Sequence, residues 1–83
     1  MMFQVKWVKR AEDELTQIWL GARDRYAVTE AASRLDSVLR VDPGTVGESR
    51  DRGERIVFTD PLGILFRVIP SRRVEATHVW RCR

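Results

Sequence analysis

The sequence predicts one small α+β domain: a strand, two helices and a three-strand meander, forming a mainly antiparallel sheet with a helical hairpin packed on one face. Three observations carry this. The hydrophobic period runs from two to about 3.6 and back to short strand-like runs along the chain. Turn-forming clusters separate these segments. The 83 residues allow a single shared core, so each apolar stripe must find its partner within one two-layer unit.

Phe3, Val5 and Trp7 alternate with Gln4 and Lys6, which predicts an opening strand over residues 2–8. A helical stripe of Leu15, Ile18, Trp19 and Ala22 follows, behind the acidic run Glu12-Asp13-Glu14, which suits the positive end of a helix dipole. This helix is expected to end near Gly21 or Ala22, before the polar Arg23-Asp24-Arg25. Val28, Ala31, Ala32, Leu35, Val38 and Leu39 form the stripe of a second helix, stopped by Asp42-Pro43-Gly44. Residues 45–53, TVGESRDRG, show no period and read as a loop.

Three strands are then expected at residues 54–59, 64–70 and 74–81, rich in Ile, Val, Phe and Trp. Asp60-Pro61-Leu62-Gly63 has the residue order of a type I turn, and Ser71-Arg72-Arg73 closes the next hairpin. The unbroken run Ile64-Leu65-Phe66 points to a central strand covered on both faces near its start.

The net charge of +3 conceals an asymmetry. Residues 1–45 carry seven basic and seven acidic side chains, whereas residues 46–83 carry eight arginines against five acids. An arginine-rich sheet under one helical layer places strand residues of the opposite parity on the uncovered face, so an anionic partner is expected there. The lone Cys82 excludes an internal disulfide and a clustered-cysteine zinc site, and fits a reducing cytosol. No run of 18 apolar residues exists, so no membrane span is expected, and the chain reads as cytoplasmic.

The candidate binding residues are Arg50, Arg52, Arg55, Arg67, Arg81 and Arg83. Arg50, Arg52 and Arg55 interleave with Asp51 and Glu54, the pattern of a self-compensated solvated segment. Arg67 lies within the apolar run LFRVI and is expected on the open face, while Arg81 and Arg83 have no acid near them in the sequence. Glu48 and His78 are weaker candidates for acid–base work; each also fits a structural place, Glu48 as a partner of loop arginines and His78 as a packed strand residue. Trp7, Trp19 and Trp80 fall on apolar faces and are expected in the core rather than as stacking platforms.

Over nearly its whole length the chain resembles the RelE/ParE toxins of bacterial type II toxin–antitoxin systems. The resemblance rests on the element order, on Ala11-Glu12-x-Glu14-Leu15 opening the first helix, on the Gly47 loop, on GERIVFTDPLGILFRV, and on the closing strand VEATHVWR. It implies a small basic toxin, without cofactor or metal, that binds a cognate antitoxin and acts on ribosome-bound mRNA or on DNA gyrase. RelE-like toxins cleave mRNA with a set of cations and a general acid or base. Carried onto this chain, that set is Arg55, Arg67 and Arg81, with Glu48 or His78. The arginine that opens the hairpin's second strand in those toxins falls on Gly63 or Ile64, and Cys82 or Arg83 stands where they end in Tyr or His. The incomplete set implies the ParE-like branch, which inhibits gyrase through a binding surface. The ribosome-dependent endonuclease and a non-toxic interaction module are the alternatives.

Overall fold

The computed structural model describes residues 2–82; Arg83, a candidate binding residue, lies outside them. The chain runs β1 (Gln4–Trp7), α1 (Lys9–Gly21), α2 (Arg25–Val41), a 3₁₀ turn (Pro43–Thr45), β2 (Glu48–Ser49), a second 3₁₀ turn (Asp51–Gly53), β3 (Glu54–Thr59), β4 (Leu62–Ile69) and β5 (Arg73–Arg81). The strands form one sheet in the order β1-β5-β4-β3-β2. β1 runs parallel to β5 and every other pair is antiparallel.

Strand parity sorts the side chains. Leu62, Ile64 and Phe66 of β4 and Val74, Ala76 and Val79 of β5 are buried on one face, against Ala11 of α1 and Val28, Ala31, Leu35 and Leu39 of α2. Truncating one such side chain, as in Phe66→Ala, costs about 3–5 kcal/mol because its cavity cannot fully collapse. The helical hairpin therefore covers one face of the sheet, as expected.

The polar link between the helices is an ordered cap. The Asp24 side chain accepts the Ala27 N–H at 3.0 Å, an N-cap for α2. Arg25 donates to the carbonyls of Trp19 and Leu20 at 3.1 and 3.0 Å, satisfying the end of α1, and its guanidinium lies 4.6 Å from the Trp19 ring centre.

Four expectations need correction. Residues 45–53 hold two 3₁₀ turns and the edge strand β2, so the sheet has five strands rather than four. No period marks β2 because both of its residues are exposed. It is held where it is by Gly47, at φ +72°, whose missing Cβ would overlap the Ile56 carbonyl. The hairpin before β4 turns one residue earlier than a type I turn over residues 60–63: Asp60 and Pro61 alone link the strands, through a cis peptide, and Leu62 and Gly63 already belong to β4. Trp19 is 38% exposed at the hairpin rim and Trp80 lies on the face away from the helices; only Trp7 packs against the core. Of the acidic run only Glu12 lies in the first turn of α1, which begins at Lys9, and Glu14 reaches β5 instead.

Candidate functional site

The face of the sheet opposite the helices is built of three rows that cross the strands. In the first, register places Lys6 of β1, Glu75 of β5, Arg67 of β4 and Glu54 of β3 side by side. Their signs alternate. Arg67 and Glu54 close to 3.5 Å, so this row is a compensated cross-strand ladder rather than a patch of one charge. The second row is Ile56 beside Leu65, flanked by Glu48 and, at the β5 bulge, His78. The third is Phe58, Gly63 and Trp80.

The third row changes the meaning of Gly63. A Cβ on Gly63 would lie 2.8 Å from the Trp80 ring and 2.9 Å from Phe58. The two aromatic rings meet edge to face across it, 6.0 Å apart and inclined by 80°. A glycine in a strand interior marks a close approach, and here the approach is this aromatic lid. Ile64, the other position at which the resemblance would place an arginine, is fully buried on the helix side. Neither position carries a cation, and aromatic side chains fill the space over Gly63.

The remaining arginines are dispersed. Arg55 lies opposite the buried Phe66, on the helix side of β3, where it donates to the carbonyls of Val46 and Gly47 at 2.9 and 3.1 Å. It clamps the loop that leads into β2. Arg50 pairs with Glu48 at 3.2 Å, and Arg52 sits exposed in the second 3₁₀ turn at φ +61°. Arg81 is opposite the buried Leu62 and lines a groove beside α1. Arg67 lies five positions along β4 from Leu62, the register partner of Arg81, about 17 Å along the strand, and the odd number puts the two arginines on opposite faces. The single arginine-bearing surface expected from the charge asymmetry does not form, because alternate parity sends neighbouring arginines to different sides.

His78 and Glu14, 64 positions apart in the sequence, meet at the edge of β5. The Glu14 carboxylate accepts the Val79 N–H at 2.8 Å through Oε1 and faces His78 Nδ1 at 3.3 Å through Oε2. Sequence patterning missed Glu14 here, since its place in an acidic run pointed to the helix dipole. Among the described residues, no three His, Cys, Asp or Glu side chains converge as a metal site, and no helix is long and apolar enough to cross a membrane.

No family model matches the sequence. No curated protein matches it either. Solved structures do. A chain of the chromosomal ParDE TA system from P. aeruginosa superposes with a TM-score of 0.77 at 18% identity, covering 99% of this chain and 98% of that one. A chain of the toxin–antitoxin complex RelBE2 from Mycobacterium tuberculosis gives a TM-score of 0.78 at 16% identity, covering 98% and 92%. The chain therefore has the RelE/ParE toxin fold over its full described length, and both branches superpose on it equally well.

Proposed function

We propose that this protein is the toxin of a toxin–antitoxin pair, that a cognate antitoxin binds and neutralises it, and that it inhibits growth by binding a target in the manner of ParE toxins, DNA gyrase being the expected one. The observation that carries the choice is the aromatic lid. Trp80 and Phe58 occupy the space over Gly63, one of the two positions at which the resemblance to RNA-cleaving toxins would place a cation. Phosphoryl transfer from a ribose hydroxyl develops charge that must be met by donors held within about 3 Å of one point. Arg55, Arg67 and Arg81 lie on two faces and at separate positions along the sheet, so they do not share such a point. A surface of aromatic and compensated charged side chains suits protein contact better than phosphate chemistry.

Two measurements test this. Expressed alone in bacteria, the protein is expected to arrest growth; a small acidic antitoxin is expected in the neighbouring reading frame, and its co-expression is expected to restore growth. In arrested cells, DNA supercoiling is expected to fall while transcripts stay intact. Early cleavage of transcripts at ribosomal A-site codons with normal supercoiling would reverse the choice of target. Unimpeded growth would leave an interaction module of the same fold.

A further inference from the structure

The open face of the sheet carries a charge pattern that is its own complement. Across β1, β5, β4 and β3 the charged row reads Lys6, Glu75, Arg67, Glu54: plus, minus, plus, minus. Read backwards, every sign is inverted. A twofold axis along the strands, between β5 and β4, reverses such a row. A second copy laid face to face about it sets Lys6 opposite the partner's Glu54 and Glu75 opposite the partner's Arg67. An axis through β4 or β5 would set Arg67 on Arg67 or Glu75 on Glu75, and an axis across the strands would set the charged row on itself or on the aromatic one. Only the first placement pairs every charge with its opposite.

Two of these charges have such a contact to give. Arg67 and Glu54 meet at 3.5 Å, whereas among the described residues neither the Lys6 nor the Glu75 side chain makes a hydrogen bond or ion pair. The next rows fit the same axis. Leu65 falls opposite the partner's His78, and Trp80 opposite the partner's Gly63, where no side chain stands. Each Trp80 ring leans over the Gly63 of its own chain, so two such rings pass side by side across the axis. The strands of the two sheets then run within about 30° of each other, the ordinary aligned packing of twisted sheets. Strand spacing and rise make the shared face roughly 20 by 20 Å, on the order of 400 Å² per copy. A tight interface takes about 800 Å² per partner, so this one is weak and reversible.

We propose that the open face is a self-association surface, on which two copies pack sheet to sheet about this axis with the charged row fixing their register. An unrelated partner would need charges of its own to match the row; a second copy already has them. The dimer covers the face that the reading above offers to a target, so it is a stored form that must dissociate before that face is used. This consequence rests on the proposed function, and the dimer itself does not.

The test is sedimentation equilibrium of the purified full chain from about 5 to 500 µM, in reducing buffer so that Cys82 cannot link copies. The expected result is a monomer–dimer equilibrium with a dissociation constant on the order of 100 µM, weaker in about 1 M salt. Lys6→Glu sets a like charge against Glu54 at both ends of the dimer and is expected to weaken association about tenfold; Glu54→Lys does the same by opposing two lysines. Mixed in equal amounts, the two variants oppose glutamate to lysine at both contacts and are expected to associate within about threefold of the native affinity. No change within either chain produces that recovery. Glu54→Lys also breaks the contact with Arg67; should it fail to fold, Lys6→Glu decides alone, at an exposed side chain that holds no partner among the described residues. The proposal is overturned if the native chain stays monomeric throughout, if Lys6→Glu associates as strongly as the native chain, or if the folded variants associate no better mixed than apart. No target is present in the measurement, so failure of the gyrase reading leaves each of these outcomes as it stands.

Discussion

The two faces of the sheet solve opposite problems with residues drawn from the same strands. On the helix side, Leu62, Ile64, Phe66, Val74 and Ala76 are removed from water altogether, and their stability comes from area and packing. On the open side, Phe58 is 58% exposed, and the rows beside it hold charges of alternating sign. The helix face has one way to pack. The open face is a finished surface whose charges are already answered by their cross-strand neighbours. A count of arginines along the chain therefore says little about a binding site until register and parity have assigned each one a neighbour.

The sharpest way to break this contrast is to damage the covered face. Phe66→Ala is expected to lose about 3–5 kcal/mol, read from the denaturant midpoint, because no helix movement can refill the space. On the open face the largest expected effect is at Gly63. Gly63→Arg must push Trp80 or Phe58 aside and is expected to cost about 1–3 kcal/mol. Adding Trp80→Ala is expected to recover part of that loss, a coupling that a double-mutant cycle would detect. If Gly63→Arg is neutral alone, the aromatic lid is not what excludes a cation there.

Smaller changes sharpen the picture at the strand ends and in the charged row. Ser71 and Arg72 close the β4–β5 hairpin with φ of +73° and +59°, a conformation that L side chains adopt at a cost. Arg72→Gly is expected to stabilise the fold by about 1 kcal/mol in thermal unfolding. Arg67→Gln leaves Glu54 and Glu75 without the cation between them, yet the sites are partly solvated. The expected loss is below about 1 kcal/mol and shrinks further in high salt.

Most of the fold was legible in the sequence because period and turn chemistry act locally. The two apolar stripes located α1 and α2, and the Ile, Val and Phe runs located β3, β4 and β5 to within two residues at each end. What stayed hidden depends on long-range neighbours. β2 is a strand only through its pairing with Arg55 and Ile56 and the Gly47 approach behind it. Trp80 looked like a core residue because a bulge in β5, between the partners of Leu65 and Phe66, changes which later residues face the helices. Gly63 was visible as a missing charge, but the reason that no side chain fits lies on two other strands. Glu14 looked like a dipole partner until its hydrogen bond to a residue 65 positions away was seen.

The central claim is that the open face, closed over Gly63 and neutral along its charged row, does not cut RNA. It is tested most directly by incubating the purified protein with ribosomes stalled on a defined mRNA and mapping the transcript ends. The expected result is an intact transcript at protein concentrations that inhibit gyrase supercoiling in a parallel reaction. Cleavage at the A-site codon that Arg67→Ala and Arg81→Ala abolish would contradict it.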